Sequence, residues 1–104
     1  MNRCNLIPKR EYTRITCSQG DTGLRRWQFH IFNGSERWTI DADAVIMTCS
    51  NGEEIPCTIS DNSVVVDCTE GLSEHAGQFK CQFIFTQDDL RLGSQIFDLW
   101  VEEL

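Results

Sequence analysis

Histidine and proline are scarce in this sequence, and no apolar run is long enough to cross a bilayer. The chain has two histidines and two prolines among 104 residues. None of its hydrophobic stretches approaches the ~18 to 20 apolar residues that a transmembrane helix needs. The residues after Met1 also lack the apolar block of a secretory signal. We therefore expect a soluble protein that is made in a cytoplasm and has no membrane partner.

Motifs for catalysis and for cofactor or metal binding are also missing. The sequence has no nucleophile elbow, no phosphate-binding glycine loop and no histidine pair at metal-ligand spacing. A nucleophilic cysteine needs a base within hydrogen-bond reach, and only His30 and His75 are available. Asp41-x-Asp43 and Asp88-Asp89 match no complete calcium loop and are interpreted as turn residues that cap their own backbone. We predict no enzyme, no cofactor and no metal.

Cysteine, in contrast, is abundant. The six cysteines are Cys4, Cys17, Cys49, Cys57, Cys68 and Cys81. In a secreted protein they would indicate a disulfide framework, but the expected compartment favours reduced thiols. No two of them have the two-residue spacing that is typical of structural zinc sites. Cys68 and Cys81 fall on inward faces of predicted strands, where a free cysteine acts as a small hydrophobic residue.

Negative charge dominates the composition but is unevenly distributed. The formal net charge of −7 argues against a nucleic-acid partner, whose phosphates require Lys and Arg. Residues 1–30 nevertheless carry six basic and two acidic side chains, whereas residues 31–104 carry three basic and fourteen acidic ones. This asymmetry fits solvated faces of mixed sign, or a basic segment that docks on an acidic neighbour.

Three segments near the C terminus alternate between apolar and polar residues with the period of a β-strand. The apolar positions of residues 78–86 are Phe79, Cys81, Phe83 and Phe85. Residues 63–68 and 95–102 repeat the pattern, with Val64, Val66 and Cys68 and with Phe97, Leu99 and Val101. We predict three strands that share one core and are joined by residues 71–77 and by a hairpin loop at residues 87–93.

Shorter strands are predicted before this region. Residues 11–18 point Ile15 and Cys17 to one face, and residues 25–32 do the same with Trp27, Phe29 and Ile31. Asn33-Gly34 predicts a hairpin that returns into residues 37–40. Both registers of residues 44–49 are apolar, which suggests burial on both sides, and residues 55–59 are predicted to form one short strand that carries Pro56 near its start.

Residues 1–10 show no periodicity. We predict that they form an N-terminal arm, ordered only by packing on this domain or a neighbour and dispensable for folding. Residues 11–104 then form a single domain of seven or eight short strands, with no helix beyond a possible turn at residues 72–75. This pattern is typical of an antiparallel β-sandwich, and an eight-stranded barrel is the alternative.

Several short motifs occur in an order that is characteristic of one known family. They are Gln19-Gly20-Asp21-Thr22 before an aromatic strand, Asn51-Gly52, Pro56-Cys57-Thr58-Ile59, Val64-Val65-Val66-Asp67, Ala76-Gly77, and Gly93 before Phe97-x-Leu99-x-Val101. In this order, residues 15–103 resemble the N-terminal immunoglobulin-like domain of the phage baseplate upper proteins that carry receptor-binding proteins. The abundance of cysteine departs from that family.

The resemblance implies a non-enzymatic structural protein of a phage virion, made in the cytoplasm of a bacterial host. Its partners would be other virion proteins of the tail or baseplate, or of the capsid, and it would form a homo-oligomer such as a ring or trimer. A head decoration protein and a fibre-anchor protein are alternatives within the virion. A soluble ligand-binding β-sandwich with no virion role is a further alternative.

A protein of this kind needs contact surfaces, and aromatic and arginine side chains are enriched at interface hot spots. Ile96 and Trp100 fall opposite the inward-facing positions of their strand, so they either lie under a second layer or form an exposed apolar patch. The interface candidates are Leu6, Ile7, Lys9, Arg10, Arg14, Phe32, Trp38, Ile96 and Trp100.

Overall fold

Two β-sheets packed on a shared apolar core make up almost all of the ordered secondary structure. A computed structural model describes residues 1–104, of which 55% are in strands and 4% in a helix. The strands are β1 Asn2–Asn5, β2 Arg14–Ser18, β3 Arg26–Asn33, β4 Glu36–Arg37, β5 Ala44–Cys49, β6 Glu54–Pro56, β7 Thr58–Ser60, β8 Ser63–Asp67, β9 Gly77–Gln87, β10 Leu90–Gly93 and β11 Phe97–Glu102. The all-β prediction is confirmed.

The strands are distributed between a five-stranded and a six-stranded sheet. The first has the order β1-β3-β8-β7, with β4 also paired to β3. The second has the order β2-β11-β9-β5-β6, with β10 also paired to β9. Most neighbours are antiparallel, but β1 runs parallel to β3 and β2 runs parallel to β11. The first two strands of the chain therefore lie in different sheets.

The core is built from the inward side chains of both sheets, as the period-two pattern predicts. Phe29 of the five-stranded sheet contacts Phe83 and Phe97 of the six-stranded sheet, with ring centroids 4.8 and 5.2 Å apart. The predicted inward residues of β3, β8 and β11 are all buried. In β5 the buried residues are Val45, Met47 and Cys49, so this strand faces the core on one side and is not buried on both.

The predicted number of seven or eight strands is wrong, because several strands are too short to show a period. Residues 87–93 are not an open loop: β9 and β10 form a hairpin around Asp88, whose φ is 53°. Residues 55–59 are not one strand either, since β6 pairs with β5 in one sheet and β7 pairs with β8 in the other. The chain changes sheets at Cys57.

The predicted hairpin at Asn33-Gly34 is present, although the returning strand is shorter than expected. Asn33 pairs with Glu36 and Phe32 with Arg37, so the strand ends at Arg37 and residues 38–40 are irregular. Gly34 occupies the first loop position with a φ of 69°, a conformation that glycine adopts without strain.

The N-terminal segment packs on this domain, because β1 forms the edge of the five-stranded sheet. Asn5 at its end is fully buried, and its carboxamide bonds to both backbone groups of Gly34 at 2.8 and 3.1 Å. Gln95 lies in the break between β10 and β11, where its Oε1 accepts from the Asn5 amide at 2.9 Å. Its Nε2 donates to the Glu11 carbonyl at 2.6 Å. Gln95 thus links the N-terminal segment to the six-stranded sheet.

One short helix closes the end of the sandwich where β9 begins. Helix α1, Glu70–Ser73, is capped by the Thr69 hydroxyl, which accepts from the Leu72 amide, an interaction that satisfies one of the free amides at a helix start. Leu72 is fully buried. No helix of this fold is long and apolar enough to span a membrane.

Candidate interaction surfaces

The outer face of the six-stranded sheet carries the most concentrated group of candidate residues. On β11 the inward residues Leu99 and Val101 are buried, so Trp100 between them points outward and is half-buried. Arg14 of the neighbouring strand β2 places its guanidinium over the Trp100 ring, 4.1 Å from the centroid. A cation–π contact at an exposed site stabilises by about 0.5 to 1 kcal/mol, so it favours this arrangement of the two side chains.

Two exposed residues lie beside this group, just before strands β2 and β11 begin. Tyr12 is 69% exposed and Ile96 is 55% exposed, and they precede by two residues the paired strand residues Arg14 and Asp98. We call Tyr12, Arg14, Ile96 and Trp100 the Trp100 surface. The indole N–H of Trp100 is buried and donates to no acceptor, which is uncommon for a buried N–H group.

The Trp100 surface is bordered by fixed charges. The ammonium of Lys80 on β9 lies 2.5 Å from a carboxylate oxygen of Asp98 on β11, and this partner raises the pKa of Lys80. Arg14 supplies a second positive charge within the surface itself. An arrangement with apolar and aromatic residues inside and charged residues around them is the usual anatomy of a protein interface.

Trp38 lies elsewhere, in a groove at the end of the sandwich. Its ring meets Phe85 edge to face, with centroids 5.1 Å apart. The groove has a volume of about 180 Å³, and the β9–β10 hairpin contributes Leu90 and Leu92, which are 71% and 41% exposed. Asp41 is held in this region by Gln87, whose Nε2 donates to its Oδ1 at 3.0 Å.

The candidates from the N-terminal segment do not form a common surface. Leu6 is partly buried and packs against the core. Ile7, Lys9 and Arg10 lie in the exposed turn that follows, in which Lys9 has a positive φ of 59°. Phe32 is half-buried on the outer face of the five-stranded sheet.

The basic charges of the first thirty residues are largely paired within the chain. Arg3 approaches Glu11 at 3.5 Å and covers the Phe32 ring at 3.7 Å. Arg25 bonds to Asp21 at 2.8 Å, and Arg26 bonds to Asp67 at 2.6 Å. These contacts weaken the hypothesis of a basic segment that docks on an acidic neighbour, because Lys9 and Arg10 are the cations left without an ion pair or a ring partner.

The side chains considered for chemistry do not converge on one site. His30 lies on the five-stranded sheet, where desolvation lowers its pKa, and His75 is exposed in the loop before β9. All six cysteines are free, and burial raises the pKa of Cys4 and of Cys57 to about 12. No group of three or more His, Cys, Asp or Glu side chains is arranged to hold a metal.

Sequence reasoning missed Tyr12, Leu90 and Leu92 as surface residues. Tyr12 precedes the alternating part of its strand, and both leucines lie in a segment predicted to be a loop. Their apolar character was the signal that could have identified them, because a leucine in a surface loop cannot reach the core.

No protein-family model and no curated protein sequence matches the chain.

Proposed function

We propose that this protein is an immunoglobulin-like module of a phage virion, of the baseplate or tail adaptor type, which acts through protein–protein contacts in a symmetric assembly and has no catalytic role. The ordered motifs between residues 15 and 103 support the phage assignment by resemblance. The observation that carries the contact function is the Trp100 surface, since Trp, Tyr and Arg are the residues enriched at interface hot spots.

The sheet order supports the finer fold assignment. Strands β3, β8 and β7 form one sheet and strands β11, β9, β5 and β6 form the other, in the order of strands B-E-D and G-F-C-C′ of an immunoglobulin domain. The position of the B–F disulfide of antibody domains would be filled here by Phe29 of β3 and Phe83 of β9, which pack edge to face. Strand β1 departs from that fold because it runs parallel to β3.

The alternatives differ in where the module sits. A head decoration protein or a fibre anchor would use the same type of surface. The ligand-binding alternative would use the Trp38 groove, but its volume of about 180 Å³ is below the roughly 300 to 1,000 Å³ of small-molecule pockets. Two larger clefts, of about 290 and 300 Å³, are lined mostly by polar residues, so neither is the mostly apolar pocket that this alternative expects.

Localisation on particles tests the virion assignment. Phage particles induced from the host should be purified, and their tail and head fractions probed with an antibody against this chain. We expect labelling of tails, at the end that bears the receptor-binding proteins. Labelling of heads would move the proposal to a decoration protein, and a chain that remains entirely in the particle-free fraction would contradict a virion role.

A further inference from the structure

Cys49 and Cys81 lie directly opposite each other on β5 and β9, the two strands with the longest shared pairing. Ser50, the first residue after β5, donates its amide to the Lys80 carbonyl at 2.8 Å. The Cys49 amide instead points away from β9 and donates to the Glu53 carbonyl at 2.9 Å. Cys49 and Cys81 therefore occupy a non-hydrogen-bonded position of the antiparallel ladder.

That position matches the geometry of a disulfide. Opposed residues of a non-hydrogen-bonded pair have Cα atoms about 4.5 Å apart with the side chains on the same face. Disulfides span Cα distances of about 4.4 to 6.8 Å, so the bond can form with little movement of the backbone. Both side chains point inward, with Cys81 1% exposed and Cys49 8% exposed.

The surroundings of the two thiols give them different chemical roles. The neighbouring Cys81 thiol, and then the backbone amides of Asn51 and Ser50, lower the pKa of Cys49. The neighbouring Cys49 thiol and burial raise the pKa of Cys81. Cys49 is also the more exposed of the two and adjoins the turn at Asn51-Gly52. It can act as the attacking thiolate, with Cys81 as the resolving thiol.

We propose that Cys49 and Cys81 form a redox-active dithiol that closes to an intramolecular disulfide by exchange with a small-molecule disulfide. The Cys49 thiolate attacks one sulfur of that disulfide, forms a mixed disulfide and expels the first small thiolate. Cys81 then loses its proton and attacks the Cys49 sulfur, which releases the second small thiol. Both protein sulfurs are oxidised, and the small disulfide is reduced to two thiols.

A second pair of cysteines provides a comparison within the same protein. Cys17 of β2 and Cys68, which follows β8, are neighbours across the two sheets. Burial raises the pKa of both thiols, and Cys68 donates to the carbonyls of Asp21 and Thr69 at 3.5 and 3.6 Å. Neither thiol is favoured as a thiolate, so this pair should react more slowly.

Disulfide mapping after reaction with oxidised glutathione at pH 8 tests the proposal. Native wild-type protein should be quenched with an alkylating agent and digested without reductant. We expect a peptide pair that joins Cys49 to Cys81 and a melting temperature raised by about 10 °C, because the bond restricts a long loop of the unfolded chain. Absence of that pair, or its replacement by a Cys17–Cys68 link or by intermolecular disulfides, would overturn the proposal.

Single substitutions assign the order of attack. Cys81→Ala should accumulate glutathione on Cys49 because the resolving thiol is missing, and Cys49→Ala should take up no glutathione at Cys81. Cys4→Ala removes a fully buried cysteine outside the pair and should form the Cys49–Cys81 link as the wild type does. Equal glutathione uptake by the Cys49→Ala and Cys81→Ala variants would contradict the assigned roles, and mapping of the wild type decides the proposal even if a variant does not fold.

Discussion

Replacing Gln95 by alanine should destabilise the protein, because its buried carboxamide satisfies two backbone groups of the N-terminal segment. Gln95 is 1% exposed, and its carboxamide accepts from the Asn5 amide at 2.9 Å and donates to the Glu11 carbonyl at 2.6 Å. Each buried backbone group left without a partner costs about 1 to 3 kcal/mol. Since Asn5 is fully buried and Glu11 is half-buried, we expect a total loss of about 2 to 4 kcal/mol.

Urea denaturation followed by tryptophan fluorescence measures this loss as a lower midpoint at an unchanged slope. Gln87→Ala is the matched control, because Gln87 makes one exposed bond from its side chain to Asp41, and surface substitutions of this kind usually change stability by less than about 0.5 kcal/mol. Equal midpoints for Gln95→Ala and Gln87→Ala would refute the view that Gln95 fastens the N-terminal strand to the opposite sheet.

Further expectations follow from the core, the N-terminal strand and an acidic turn. Phe83→Ala should lower the free energy of unfolding by about 3 to 5 kcal/mol in the same assay, since Phe83 meets Phe29 and Phe97 at 4.8 and 5.0 Å. Deletion of residues 1–10 should lower it as well, because β1 covers the edge of β3, and unchanged stability would mean that the segment is a dispensable arm. The Ser18 amide and then Arg25 lower the pKa of Asp21. This stabilisation is present above the ordinary aspartate pKa and lost as the pH falls through the folded-state pKa, so Asp21→Asn should be less stable than wild type at pH 7 and no less stable at pH 2.

The sequence was sufficient to predict the faces of the longer strands, because alternation over six or more residues determines which side chains enter the core. Phe83 and Phe85 of β9 follow this rule, and both are buried. It failed for β1, whose residues Asn2-Arg3-Cys4-Asn5 contain one apolar side chain. Their place in the sheet depends on bonds from Gln95 and Gly34, which lie far away in sequence.

Properties that depend on strand register were also beyond sequence reasoning. The Cys49–Cys81 position requires knowing that β5 pairs with β9 and in which register, and neither follows from composition. The Trp100 surface was predicted in part: the outward position of Trp100 follows from alternation, whereas the stacking of Arg14 on its ring requires the parallel pairing of β2 with β11.

Sedimentation velocity over a range of protein concentrations tests most directly whether the Trp100 surface mediates assembly. Wild type should be compared with Ile96→Glu, which places a charge within the surface, and with Leu24→Glu, which alters a fully exposed leucine in the β2–β3 loop. We expect a wild-type oligomer that Ile96→Glu dissociates and Leu24→Glu leaves intact. A wild-type oligomer that survives Ile96→Glu, or a wild type that stays monomeric both alone and with purified phage tails, would contradict the account.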